Sequence, residues 1–360
     1  MRAPISPTEL PLRQVAEWEA QEACWLAWPD HPELWGDALP EVREAFVALV
    51  RGIVAPGPRP AARAEILVLD EAAEAAAAEA LRGLDLRFHR QRYGDLWLRD
   101  TAPVFVEGPA GQRALCFEFN GWGGKYDLPG DSEIRAFVAA RAGRSPVPLP
   151  LVCEGGALEV DGEGTCLTTR QCLLNPNRNP GWTEADVEAV LGPALGVERF
   201  IWLEEGLLND HTDGHVDTLA RFVAPGRVVC MAPAGSGDPN AEALIAIRDT
   251  LAASDDARGR RLEVIALPSP GRIEGPDGAL MPASYVNFYI GNNAVIVPTY
   301  GVDTDAEALR LLSECFPDRE TLGVSALALL QGGGAFHCIT QQQPRPDAGQ
   351  EQLNEPTQKV

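Results

Sequence analysis

Strand-like and helix-like segments alternate along the whole chain, and pairs of strands followed by a helix recur about five times. That recurrence points to an α/β chain of repeated units rather than to two independent domains. Apolar residues fall near the helical period over 41–54 (Val42, Phe46, Val47, Val50), and helices are also expected over 70–82, 131–142, 183–192, 239–253 and 303–315. Strands are expected over 64–69, 113–119, 164–169, 216–223, 227–232, 262–267 and 285–297. The last segment reads as a hairpin turning at Asn292–Asn293, because asparagine tolerates the positive φ of tight turns. The repetition is architectural and no sequence motif repeats. Residues 1–345 are expected to form a single domain, followed by a flexible polar tail over 346–360.

Composition narrows what such a chain can bind. A net charge of -22 repels phosphate backbones and anionic lipid, which disfavours nucleic-acid and membrane partners and favours small cations. The first residues carry no apolar run behind Arg2, and no stretch of 18 apolar residues occurs anywhere. A cytoplasmic location is therefore expected. The eight cysteines lack a CxxC spacing and sit in apolar segments, so most of them read as small buried hydrophobes.

Residues with catalytic potential gather in short blocks that interrupt the apolar pattern at strand ends, where a rigid scaffold can hold them. These blocks are WLRD (97–100), FNGWGG (119–124), CEGG (153–156), NPNRNP (175–180), HTDGHVD (211–217), ASYVN (283–287) and GGGAFHC (332–338). Three glycines ahead of His337 and Cys338 let the backbone approach a ligand, and a thiolate at Cys338 is the strongest nucleophile available. A buried thiol beside a flexible loop fits that block equally well. On an extended strand His215 and Asp217 share one face, which suits a proton-carrying histidine beside a cation-binding carboxylate. A metal site made of His211, His215 and Asp213 or Asp217 is the alternative, although the spacing lacks the HExxH form. Asp100, Glu154 and Asp217 supply three carboxylates, which is what multidentate binding of a planar guanidinium requires. Trp97 and Trp122 could stack on the cation, though core packing is the commoner use of a tryptophan.

Taken in order, these blocks resemble the agmatine deiminase family of the guanidino-group-modifying superfamily, which includes peptidylarginine deiminases. The matching stretches are EACWLAWP (22–29), WLRDTAPVFV (97–106), FNGWGGKY (119–126), EGGALEVDGEGTCLTTRQCLLNPNRNP (154–180), DGHVDTLARF (213–222), ASYVNFYI (283–290) and GGGAFHCITQQQP (332–344). The resemblance implies a five-bladed α/β propeller with pseudo-fivefold symmetry and a site on the central axis. It implies Cys338 as nucleophile, His215 as general acid/base with Glu154 beside it, and Asp100 and Asp217 as guanidinium ligands. It also implies a bacterial enzyme of polyamine metabolism that hydrolyses agmatine to N-carbamoylputrescine and ammonia with no metal or organic cofactor. The chain departs from the family pattern at Ala102, Thr218 and Phe336, none of them among those five. Free, methylated or peptidyl arginine remain alternative substrates. A metal-dependent hydrolase or a non-catalytic polyamine-binding protein are the readings from other classes, and a homo-oligomer is left open.

Overall fold

The computed structural model describes residues 11–346 apart from Ser236. The expected tail from residue 347 onward lies outside the described residues. Sixteen strands form five small sheets. The first sheet has the order β16-β1-β2-β3, with β1 Gln21–Ala27, β2 Arg63–Val68, β3 Leu86–Arg90 and β16 Gln341–Pro344. The second holds β4 Val104–Val106, β5 Arg113–Glu118 and β6 Ser145–Val152, and the third β7 Glu159–Val160, β8 Thr165–Thr169 and β9 Arg199–Leu203. The fourth holds β10 Ala220–Ala224, β11 Arg227–Ala232 and β12 Glu263–Pro268, and the fifth β13 Tyr289–Ile290, β14 Ala294–Thr299 and β15 Glu320–Ser325.

In each of sheets two to five the first two strands pair antiparallel, and the third returns parallel to the second through a helix. A parallel return needs such a crossover. Those helices are α3 Asp131–Arg141, α4 Glu184–Leu195, α5 Ala241–Ala252 and α6 Asp305–Cys315; α1 Leu39–Ile53 and α2 Glu71–Ala80 serve the first sheet. Its antiparallel partner strand is β16, from the far end of the described chain, pairing Trp25 with Gln341 and Gln21 with Pro344. The chain thus closes its ring of five blades by pairing its last strand with its first.

All six expected helices form. The α4 helix begins with a capping box, Thr183 with Asp186, and runs past Pro193 to a left-handed Gly196 rather than stopping before the proline. In the last turn a proline breaks little, since Gly196 and Val197 N–H both close onto Gly192 O. Periodicity misses β6, whose sequence SPVPLPLV places a proline at every second position. As an edge strand it pairs only with β5, and its prolines lie on the exposed side while Val147, Leu149 and Leu151 are buried.

Two expectations need correcting. Residues 216–218 form a 3-10 turn and the strand starts at Ala220, because Thr218 N–H and Oγ1 both donate to His215 O and curl the chain. The 285–297 hairpin is shorter than expected, starting at Tyr289, and neither Asn292 nor Asn293 takes a positive φ. Those asparagines instead bind neighbouring loops: Asn292 Nδ2 donates to Gln21 O and Pro60 O, and Asn293 Nδ2 to Ala55 O and Arg59 O.

Candidate active site

The polar blocks occupy the connections that lead from one sheet into the next. Asp100 lies between β3 and β4, Glu154 between β6 and β7, and His215 and Asp217 between β9 and β10. Asn287 lies between β12 and β13, and Cys338 between β15 and β16. Ring closure therefore delivers one block from every junction to a common centre.

Arg99 helps to fix that meeting point. Its N–H donates to Cys338 O at 3.1 Å and its Nε to His337 O at 3.2 Å, while its guanidinium faces Glu17 at 3.1 Å. Arg99 is thus not the ion-pair partner of Asp100, which faces the opposite way. Asp100 Oδ2 accepts from Trp122 Nε1 at 2.8 Å and Oδ1 from Gly156 N–H at 3.0 Å. His215 Nδ1 lies 3.7 Å from Asp100 Oδ1, an ion-pair distance too long for a hydrogen bond, and His215 Nε2 lies 3.4 Å from Glu154 Oε2. Glu154 Oε1 accepts from Arg178 Nε at 2.8 Å. Asp217 Oδ2 faces His337 Nδ1 at 2.7 Å and Cys338 Sγ at 3.6 Å. Glu154, His215 and Asp217 are 0% exposed.

Two atoms in this centre have no hydrogen-bond partner although they are fully buried: His215 Nδ1 and Asp217 Oδ1. An unpaired buried polar atom costs about 1–3 kcal/mol, so the pair marks a place where a ligand supplies the partners. Gly156 keeps that place open. A Cβ on it would meet His215 Nδ1 at 2.5 Å, Asp100 Oδ1 at 3.0 Å and Asp217 Oδ2 at 3.1 Å.

The protonation pattern follows from burial set against neighbours. Burial pushes the Asp100 carboxyl up, helped by Glu154 and Asp217. For Glu154 burial acts the same way but is outweighed by His215 and Arg178, so its carboxyl is held down. Burial also opposes the charge on His215, yet Asp100, Cys172 and Glu154 together lift the imidazole well above its usual value. Asp217 is lowered despite burial, chiefly through His337. The Cys338 thiol is pushed far up by burial and by Asp217 and Asp100. With its site empty of cations, the sulfur therefore holds its proton while His215 carries a charge.

A cavity of about 310 Å3 opens onto Asp100 and Cys338. Its walls include Trp35, Trp97, Trp122, Tyr126 and Asp95, and among the described residues neither lysine nor arginine lines it. Trp97 and Trp122 both face the cavity. Each also has a structural duty, since Trp97 Nε1 donates to Asp95 Oδ2 at 2.8 Å and Trp122 Nε1 to Asp100. Asp95 receives Trp35 Nε1 on its other oxygen at 3.0 Å.

The residues of the metal alternative are dispersed. His211 Nδ1 faces Tyr126 Oη at 2.9 Å on the cavity wall, and Asp213 is held by Lys125, Asn177 and Arg178. Among the described residues, the one His, Cys and carboxylate trio with close ligand atoms is Glu154, Cys172 and His215. Sequence reasoning gave no part to Asp95, Arg178, Asn287 or His337. The blocks of Arg178, Asn287 and His337 were visible and Asp95 lies two residues before WLRD, but only side-chain direction shows what each touches.

The profile of a family described as Porphyromonas-type peptidyl-arginine deiminase matches residues 13–344. An agmatine deiminase of Stutzerimonas stutzeri is 38% identical over 357 residues, covering 92% of this chain and 95% of that one. The solved agmatine deiminase of Enterococcus faecalis superposes with a TM-score of 0.87 at 32% identity, covering 95% of this chain and 99% of that one. An agmatine deiminase of C. jejuni, solved with substrate bound, gives 0.84 at 25% identity, covering 93% and 96%. With the match running across nearly the whole chain, the protein belongs to the Porphyromonas-type peptidyl-arginine deiminase family.

Proposed function

We propose that the protein hydrolyses agmatine to N-carbamoylputrescine and ammonia, with Cys338 as nucleophile and His215 as proton carrier. One observation carries the reading: the unpartnered Asp217 Oδ1 and His215 Nδ1 lie buried in the same centre as the Cys338 sulfur and the Asp100 carboxylate. A guanidinium offers planar N–H donors for Asp217 Oδ1 and Asp100 and brings an electrophilic carbon to the sulfur. The His215 Nδ1–H finds its acceptor when attack gives a guanidinium nitrogen a lone pair. Its positive charge also offsets the two carboxylates that keep the thiol protonated, so substrate arrival favours the thiolate.

Attack forms a C–S bond while the C=N π pair moves to nitrogen. The resulting tetrahedral centre expels ammonia, which takes its proton from the His215 imidazolium. His215, now neutral and aligned by Glu154, accepts a proton from the attacking water. Collapse of the second adduct breaks the C–S bond and returns the electron pair to sulfur. The hydroxyl oxygen forms C=O as its proton leaves to the released ammonia, giving the carbamoyl product and ammonium.

The Asp95 wall of the cavity favours agmatine over arginine. Agmatine's terminal ammonium suits Asp95 between the indoles of Trp35 and Trp97. Arginine would set its α-carboxylate against that anion, and among the described residues no lysine or arginine lines the cavity to receive it. The nearby Lys125 is engaged by Asp213 at 2.6 Å and by His211 O at 2.7 Å.

The test is ammonia release from agmatine, arginine, methylated arginines and a peptidylarginine, each with and without chelator. Agmatine should be the preferred substrate and chelator without effect. Preference for arginine or a peptide would overturn the substrate, and chelator-sensitive turnover would overturn the mechanism. No helix among the described residues is long and apolar enough to cross a membrane.

A further inference from the structure

Asn287 sits in the connection from β12 to β13 and is 2% exposed. Its side-chain oxygen accepts N–H from Ala335 at 3.1 Å and from Cys338 at 3.4 Å, and its backbone carbonyl accepts from His337 at 3.2 Å. Backbone N–H groups can only donate, so they fix which end of the amide is oxygen. The nitrogen must then be the end that faces Cys338 Sγ, at 3.1 Å. Its other neighbour is an acceptor too, Asp217 O at 3.4 Å.

Apart from the Ala335 backbone N–H, which also favours the thiolate, the other groups around the sulfur do not favour a charge on it. Asp217 Oδ2, on the 216–218 turn, is 3.6 Å away, and Asp100, on the short helix 98–101, adds to the repulsion. His337, with Glu17 from the N-terminal segment behind it, engages the same Asp217 Oδ2, while His215 faces Asp100 and Glu154. Gly334 lies against the sulfur, a Cβ on it coming within 3.0 Å of Sγ, and the cavity opens onto Cys338. Among the described residues, Asn287 supplies the side-chain N–H donor to this sulfur.

We propose that Asn287 is a catalytic residue, its Nδ2–H holding the negative charge on Cys338 before attack and again when the C–S bond breaks. The proposal rests on the deiminase reading above. At both moments the sulfur carries the electron pair: first as attacking thiolate, then as the group released from the second adduct. A donor to the anion makes sulfur a somewhat weaker nucleophile. Here the thiolate is scarce because the site is buried and acidic, so raising its population is the larger effect.

A structural role alone, holding the 335–338 turn, is separated from this one by Asn287→Asp. Aspartate keeps an oxygen for the Ala335 and Cys338 N–H groups but turns an acceptor toward the sulfur. Alkylation of Cys338 in the ligand-free protein by iodoacetamide, followed against pH by mass spectrometry of the peptide carrying it, reads the thiol directly. Loss of a hydrogen bond to a charged group should move that profile up by about one to two pH units. The kcat for agmatine should fall at least about tenfold with KM changed far less, and the melting temperature should stay near that of the wild type. If N287D does not fold, N287S takes its place; it is too short to reach the sulfur and adds no charge, but gives up the acceptor for Ala335 and Cys338. It is therefore read by the alkylation profile alone, and a wild-type profile overturns the assignment. Wild-type alkylation profiles and kcat in the folded variant would overturn the assignment. Failure of the wild-type protein to release ammonia from any guanidine would overturn the deiminase reading instead, and the alkylation experiment needs no substrate.

Discussion

Adding one methyl group at Gly156 brings it against three groups of the site at once. Ordinary contact for a Cβ begins at 3.4 Å, and the new carbon would lie 2.5 Å from His215 Nδ1, so the imidazole must retreat by about 0.9 Å. Asp100 Oδ1 and Asp217 Oδ2, at 3.0 and 3.1 Å, must each give a few tenths of an ångström. The backbone raises no separate objection, because Gly156 lies outside the left-handed region. Overpacking should cost about 1–3 kcal/mol, at the low end since one side of the methyl faces unfilled space. Catalysis should suffer more. A misplacement of about 1 Å in a reacting group costs on the order of 10²-fold, and the methyl also takes space that the guanidinium needs. Gly156→Ala should therefore lower kcat/KM for agmatine by about 10²–10³-fold with a modest fall in melting temperature. Ammonia release and a thermal melt on one preparation measure both. A folded G156A with kcat/KM within about threefold of wild type would refute placing the guanidinium between Asp100, His215 and Asp217.

Cys338→Ala should abolish turnover and still bind agmatine by calorimetry, and ammonia above background would remove the nucleophile assignment. His215→Ala should likewise bind substrate without turning it over; full activity would end its role as proton carrier. Asp95→Asn should raise the KM for agmatine about ten- to thirtyfold, matching the loss of a charge-assisted contact, with little change for an alkylguanidine ending in a methyl group; equal losses on both would count against a distal ammonium pocket. Asp131, 4% exposed, accepts Gly94 N–H beneath the segment carrying Asp95, and burial pushes its carboxyl up from 3.8 to about 6. A raised folded-state value means stability that is full below the unfolded value and declines as pH rises through about 6. Asp131→Asn, which keeps the acceptor, should lack that decline and gain up to about 3 kcal/mol on the wild type between pH 4 and 7.5. Urea melts at the two pH values decide it, and a pH-independent difference would contradict the buried carboxyl.

The repeated unit and the six helices were readable because hydrophobic periodicity is local, set by which residues must face a neighbouring layer. The polar blocks were legible for a related reason: they interrupt that periodicity where strands end, and WLRD, CEGG, HTDGHVD and GGGAFHC stand out against apolar flanks. The carboxylates, histidine and cysteine could be named from such blocks, and their order along the chain carried the family likeness. Local pattern failed where a strand lay at an edge and used proline, as β6 does, or where side-chain bonds curled the chain, as Thr218 does after His215. Only the closed ring decided the rest. Pairing β16 with β1 brings residue 338 within backbone hydrogen-bond reach of residue 99, a separation that no local rule anticipates. Side-chain direction then settled partners: Arg99 turned to Glu17 and not to Asp100, His211 to Tyr126 and not to a metal site, Asn287 to the sulfur, Asp95 to two indoles. Residue type and spacing fix what chemistry a chain can offer. Which groups meet, and which buried atoms stay unpaired for a ligand, depends on contacts between segments far apart in sequence, and these exist only once the five sheets have packed.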